Sequence, residues 1–330
     1  MTLVGADDTG QQIRAGWTAA DIPDLTGRTA IVTGANSGTG YEIALQIARH
    51  GAHVILACRN RARATQAAGL ISAAAPACSI EVQVLDLASL DSVRRFTGLF
   101  DECHGGLDIL VNNAGIAGGP RRQTTDGFEA HFGVNHLGHF ALTGLLLPAL
   151  LARPGSRVVT MSSGLAAQAS INFDDLQTQR RYQMTTAYGQ SKLASLLFAF
   201  ELDRRAQGAG VGIASLATHP GVARTNLLTR KEADWGRRRR GAETLVRLVQ
   251  VLAAQPAAKA ALPALYQATY PAARSDLYIG TKGHMRGQPA VSKIPPAALD
   301  HSTGKRLWDI SEELTGVSYD SLSQPIQTPE

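Results

Sequence analysis

The run Thr29-Ala30-Ile31-Val32-Thr33, followed at once by Gly34-Ala35-Asn36-Ser37-Gly38-Thr39-Gly40, decides the fold. Its first five residues form an apolar run of strand length; the next seven place glycines at a turn and at the start of the amphipathic stretch Tyr41 to His50. With 33 glycines in 330 residues, three at this spacing arise easily by chance, so the placement between strand and helix carries the reading. Glycine lets the backbone turn tightly and approach a pyrophosphate, whose charge the amides and dipole of a helix N-terminus stabilise. Gly34, Asn36, Ser37, Gly38, Thr39 and Gly40 are therefore candidate dinucleotide ligands.

Outward from this loop, apolar runs recur at His53 to Cys58, Ile80 to Leu87, Leu107 to Val111, Arg157 to Met161 and Val211 to Ala217. Between them Arg61 to Ala74, Leu90 to Cys103, Phe128 to Leu151 and Thr186 to Gln207 carry apolar residues near helical spacing. Strict alternation of this kind predicts an α/β fold: a Rossmann-type, doubly wound parallel sheet in three α/β/α layers, with ligands at the carboxyl ends of the strands. Residues 1–330 read as one domain. Its core is expected over about 25–225, a substrate lid and insertion over 226–300, and a C-terminal helix and tail over 301–330, with the helix at Arg306 to Leu314.

Composition narrows the class. Lys and Arg number 32 against 27 Asp and Glu, a net charge of +5; 44% hydrophobic and 18% charged residues exclude a disordered chain, and 5% aromatics argue against an aromatic-rich β fold. Cys58, Cys78 and Cys103 form no Cys-x-x-Cys pair, which suits a reducing cytoplasm. Asp7 and Asp8 precede any apolar run, unlike a secretory signal, and the longest apolar stretch, Phe140 to Ala152, contains Pro148 and falls short of the ~20 residues that cross a bilayer. Arg237 to Arg240 is the one strong charge run, a solvated face or a contact for an anionic partner; without a recognition motif beside it, nucleic acid is not expected. His131, His136 and His139 lie close in sequence but lack an accompanying third-ligand pattern, so no metal is expected.

The strand ends carry the chemistry. No acid stands about 20 residues beyond the glycine loop, where an NAD site holds the ribose diol. Ala57-Cys58-Arg59-Asn60 places a guanidinium there instead, which favours NADP(H) over NAD(H). Further on come Asp86-Leu87, Asn112-Asn113-Ala114-Gly115, Asn135, Ser162-Ser163, Tyr188-Gly189-Gln190-Ser191-Lys192, and Pro220-Gly221-Val222 through Thr225.

Taken in order, this set resembles the short-chain dehydrogenase/reductase family over about residues 28–225. The gap from Gly34 to Gly38 is similar to the family's classical branch. The long interval from Ser163 to Tyr188, with Ala57 to Asn60 and the terminal Leu307-Trp308 to Leu314-Thr315-Gly316, resembles bacterial members of the retinol dehydrogenase-like and WW-domain oxidoreductase-like group. Thr39 departs from the usual aliphatic residue, and the Arg run and the lack of the N-terminal anchor of many animal retinol dehydrogenases set retinoid chemistry apart.

The resemblance implies Tyr188 as general acid/base, Ser163 (rather than Ser162) as the group that fixes the substrate oxygen, and Asn135 as holder of a water that relays protons to Lys192. Read alone, Asn135 is better explained as a helix-bending polar residue, and only the resemblance gives it the relay role. A phenol of ordinary pKa ~10 needs a nearby cation to exchange protons near neutrality, and Lys192, four residues on along one helix face, can supply it. Asp86, Leu87, Asn113, Ala114, Gly115, Tyr188, Lys192, Pro220, Gly221, Val222 and Thr225 are implied cofactor contacts, Thr225 reading equally as a helix cap.

The expected protein is an NADP(H)-dependent carbonyl reductase or alcohol dehydrogenase for a lipophilic ketone, aldehyde or secondary alcohol, with a lid over Leu227 to Gly241. Two other readings share its motifs: a protochlorophyllide reductase-like C=C reductase, and a non-catalytic NADP-binding sensor or partner protein. The family pattern implies a homodimer or homotetramer through the helices around Phe128 to Leu151 and Thr186 to Gln207, unless the C-terminal segment blocks one such interface.

Overall fold

The first strand of the main sheet, β1 (Thr29–Thr33), buries every residue but Thr29. It sits mid-sheet, where β-branched residues pack on both faces. The computed structural model describes residues 3–4, 13–14, 16–221, 255–282 and 287–322. Within them β1 is joined by β2 (His53–Cys58), β3 (Ser79–Val84), β4 (Ile109–Asn112), β5 (Arg157–Met161), β6 (Ala214–Thr218), β7 (Tyr278–Thr281) and β8 (Pro289–Val291). The order is β8-β7-β6-β5-β4-β1-β2-β3, parallel throughout except for β8, which pairs antiparallel with β7. Strand order reverses between β1 and β4, so the crevice of this doubly wound sheet opens beyond Thr33 and Asn112.

Helices α1 (Gly38–Arg49), α2 (Arg61–Ala74), α3 (Leu90–Cys103), α4 (Gly138–Leu145), α5 (Leu147–Leu151), α6 (Met184–Gly208), α7 (Ala257–Thr269) and α8 (His301–Thr315) flank the sheet. The strands feed two cores by alternation. Val32, Val54 and Leu56 face Ile43, Ile47 and Leu265 on one side, while Ile31 and Ile55 face Phe96, Phe140, Phe198 and Trp308 on the other. Three layers result. Side-chain caps set several helix starts: Asn60 accepts from Arg63 N at 2.9 Å, Ser89 from Ser92 N at 3.2 Å, and Asp300 from Ser302 N at 2.9 Å. Gly316, at φ 61°, ends α8 in the left-handed region.

Two expectations change. The single helix expected from Phe128 to Leu151 is broken into a turn at Ala130–Phe132, a π-helical turn at Gly133–Leu137, α4 and α5. Pro148 has no N–H for the carbonyl of Gly144, so the helix restarts at Leu147. The core also does not end near 225: α7 packs beside α1 on one face of the sheet and β7 and β8 extend the sheet, where an insertion was expected. Buried apolar runs such as Tyr278–Thr281 are too short for periodicity to reveal them. Val222, Thr225 and the expected lid with Trp235 and Arg237 to Arg240 lie outside the described residues.

Candidate active site

The glycine loop leaves β1 at Gly34, whose amide donates to Ala57 O at 2.8 Å and whose φ is +68°. A side chain at Gly40 would meet Asn113 Nδ2 and Gly34 O, each at 2.5 Å, so the first turn of α1 can lie this close to the loop only with glycine there. Asn113 ties the two strand ends together: its Nδ2 donates to Thr33 O at 2.8 Å, and its amide and that of Ala114 donate to Thr33 Oγ1, both at 2.9 Å. Thr33 Oγ1 lies 3.0 Å from His139 Nε2, and His139 Nδ1 lies 3.1 Å from Asn135 O. Burial pushes the His139 pKa down to about 3. The neutral ring therefore donates from Nδ1 and accepts the Thr33 hydroxyl proton at Nε2.

Ser37 stands before α1 with its side chain making no cap bond, leaving the helix-start amides for a ligand, while Asn36 is half-buried beside it. Thr39 Oγ1 is buried without a hydrogen-bond partner. Cys58 lies beneath the loop; burial pushes its thiol up to about 11 against hydrogen bonds from the amides of Ala35, Asn36 and Gly34. Arg59 is exposed at the end of β2 and makes no hydrogen bond or ion pair among the described residues, whereas Asn60 caps α2. Asp86 accepts from Ala88 N at 3.0 Å, and Leu87 is buried next to it. These residues fit a nicotinamide dinucleotide: a glycine-lined cradle, open helix-start amides, and an exposed guanidinium just beyond the neighbouring strand.

Across the crevice, Asn135 lies in the π-helical turn, an irregularity that frees its carbonyl to accept from Ser195 Oγ at 3.0 Å. Its side chain bridges α6 and the segment after β4, with Oδ1 accepting from Ile116 N at 2.8 Å and Nδ2 donating to Ile116 O at 3.0 Å and Ser191 Oγ at 2.9 Å. Gly115 is packed between Asn135 and Lys192.

The two serines after β5 part company. Ser162 Oγ donates to Lys192 O at 2.8 Å and is buried, while Ser163 is half-buried, its Oγ accepting from Leu165 N at 3.3 Å and its side chain lying beside the Tyr188 phenol. Burial raises the Tyr188 phenol above its ordinary range, and the Ser163 contact opposes the rise. Lys192 Nζ donates to Met161 O at 2.9 Å, and burial brings its pKa down to about 8. Beyond β6, Gly221 N donates to His219 Nδ1 at 3.2 Å and Pro220 O accepts from Gln255 Nε2 at 2.9 Å.

Sequence reasoning missed two neighbours of this site. His131, held through Nδ1 by Glu129 Oε1 at 2.9 Å, sets its ring edge-on to Tyr188 with centroids 5.9 Å apart, and its Nε2 is buried without a partner. Tyr278 comes from β7 and is buried near Ser162 and Tyr188, its phenol pushed up by that burial. Neither sits in a motif, and only the fold brings them in.

A parallel sheet reversing at a glycine cradle, with serine, tyrosine and lysine gathered over the crevice, is the layout of a dinucleotide-dependent oxidoreductase. The chain belongs to the short chain dehydrogenase family, whose model matches residues 28–235. It is 40% identical over 320 residues to retinol dehydrogenase 14 of Homo sapiens, covering 93% of this chain and 91% of that protein. Among solved structures, a protein from Mycobacterium paratuberculosis is 39% identical with a TM-score of 0.76, covering 92% of this chain and 99% of that one. A candidate NAD(P)-dependent gluconate 5-dehydrogenase from Beutenbergia cavernae, solved with NADP at low occupancy, is 27% identical with a TM-score of 0.59, covering 76% and 94%. No helix among the described residues is long and apolar enough to cross a membrane.

Proposed function

We propose that this oxidoreductase is an NADP(H)-dependent carbonyl reductase or alcohol dehydrogenase acting on a lipophilic ketone, aldehyde or secondary alcohol. The observation that carries the reading is the placement of the Ser163 side chain beside the Tyr188 phenol, with Lys192 one helical turn further along α6. Gly34, Gly38, Gly40 and the open amides after Ser37 would hold the pyrophosphate, and Arg59 the 2′-phosphate; the nicotinamide supplies or accepts the hydride when bound. Support for the phosphate comes from the unpaired Arg59 and the NADP-bound relative, and support for a lipophilic substrate from the relative named for retinol.

In this mechanism the substrate oxygen lies between Ser163 Oγ and the Tyr188 hydroxyl. Ser163 fixes its position, and Tyr188 donates a proton as negative charge develops on that oxygen, or accepts it in the reverse direction. Burial alone holds the Tyr188 proton too tightly, so a cation must offset it. Lys192, held at Met161 O and still protonated near neutrality, supplies that charge. Asn135 fixes the segment after β4 against α6 and keeps Lys192 beside it, and it would anchor the water that returns protons to Lys192.

We assign the protein to the cytoplasm, in keeping with three unpaired cysteines. Because α8 lies on α4 and α6 through Trp308, Phe140 and Phe198, a homodimer or homotetramer would have to form outside that covered face.

Tyr188→Phe tests the acid/base role, since the ring stays and only the exchangeable proton goes. NADPH binding should be unchanged while kcat falls about 100-fold or more, as expected for loss of a general acid. Near-normal turnover in the variant would overturn the assignment.

A further inference from the structure

At the rim of the sheet opposite the crevice, three separate elements bring two imidazoles and a carboxylate to one point. His53 opens β2, Glu81 lies on β3, and His104 follows α3. In the parallel register His53 pairs with Ser79 and Ile55 with Glu81, so these alternate positions face the same side as α3. His53 Nε2 and His104 Nε2 lie 3.4 and 3.1 Å from the same atom, Glu81 Oε2, and the ligand atoms of all three residues fall within 4.8 Å of one another.

We propose that His53, Glu81 and His104 form a binding site for a zinc-class divalent transition ion. Three features carry this. Ligand atoms 2.0 to 2.1 Å from a tetrahedral ion stand about 3.3 Å apart, the spacing that both histidines keep from Glu81. The far nitrogen of His53, Nδ1, lies 2.7 Å from Ser79 Oγ, the kind of outer contact that fixes a ligating imidazole's tautomer. With the proton on Nδ1, the Nε2 lone pair faces the carboxylate oxygen without a hydrogen bond, and a cation between them relieves that opposition.

The His104 ring is stacked on buried Phe100, with centroids 4.8 Å apart, which holds it in place. Two imidazoles and one carboxylate suit zinc over magnesium or calcium, and the residues' partial exposure leaves a fourth position for water. The ion would clip the edge strand β3 to β2 and to the end of α3, on the far rim from Tyr188. It therefore acts on stability, not on the hydride transfer proposed above. Because ligating imidazoles must be neutral, affinity falls on acidification.

The test uses the full chain stripped with EDTA and titrated with Zn2+ by calorimetry, beside Glu81→Gln and His104→Gln, with melting temperature and carbonyl-reductase activity recorded for each. The expected result is one equivalent bound, a melting temperature that rises with Zn2+ and falls back with EDTA, and at least 10-fold weaker binding in both variants with activity unchanged. Circular dichroism establishes that the variants are folded, and the visible spectrum of bound Co2+ reports tetrahedral geometry independently of them. No binding by the wild-type chain, equal binding by the folded variants, or an octahedral Co2+ spectrum would overturn the proposal. Since binding and melting are read without substrate, failure here is distinct from failure of the reductase reading.

Discussion

At the scale of single residues, two positions answer different questions. The end of β2 speaks to the cofactor: Arg59 is exposed and unpaired, and no carboxylate takes the place that binds a ribose diol. Arg59→Asp removes the cation and adds a repelling charge, so the ratio of kcat/KM for NADPH to that for NADH should fall at least 10-fold, about 1.4 kcal/mol of discrimination. An unchanged ratio would remove Arg59 from the cofactor site. The pair Ser162-Ser163 speaks to what a sequence can carry. Both hydroxyls stand at the right strand end, and only burial separates them, one turned to Lys192 O and the other to Tyr188. Neighbours such as His131 and Tyr278 were not legible at all, because a side chain from another element reaches the site through tertiary packing and leaves no local pattern.

Among the elements, α2 and α3 run as their amphipathic spacing predicts, with polar caps at Asn60 and Ser89 marking their starts. The stretch before β5 does not. Its apolar residues keep helical spacing through the π-helical turn at Gly133–Leu137, and periodicity cannot register a one-residue widening that redirects the Asn135 carbonyl to Ser195. The C-terminal helix α8 was legible as a helix and not as a cover. Trp308 stacks on Phe198 at 5.8 Å, meets Phe140 at 5.1 Å and Tyr319 at 4.5 Å, and lies under the Arg205 guanidinium at 4.4 Å. Trp308→Ala leaves a large cavity between α4, α6 and α8, and should cost about 3 to 5 kcal/mol in urea unfolding. A loss under 1 kcal/mol would mean that α8 does not stabilise this layer.

For the whole molecule, the same burial that builds the site limits its tolerance to acid. His136 and His139 are both pushed down to about 3, chiefly by burial. Their folded pKa values lie below the unfolded value of 6.5, so below that pH the unfolded chain binds protons that the folded chain refuses. Stability is full above 6.5 and lost as pH falls toward 3, by about 1.4 kcal/mol per unit for each ring. Urea unfolding at pH 5 should therefore show roughly 4 kcal/mol less stability than at pH 7.5. Equal stability at the two values would contradict neutral burial of both rings.

The strand, glycine loop and helix about β1 were legible because they follow one another within a few residues; β7 and β8, which complete the sheet, were not, since so short a run has no period. The central claim is that the assembled chain binds NADPH and reduces carbonyls with it. The most direct measurement is a fluorescence titration with NADPH and with NADH, followed by NADPH oxidation across a panel of lipophilic ketones and aldehydes. Tighter binding of NADPH, with turnover on at least one carbonyl, is the predicted result. No binding of either nucleotide would contradict the account at the glycine loop, and binding without turnover on any carbonyl would contradict the reductase.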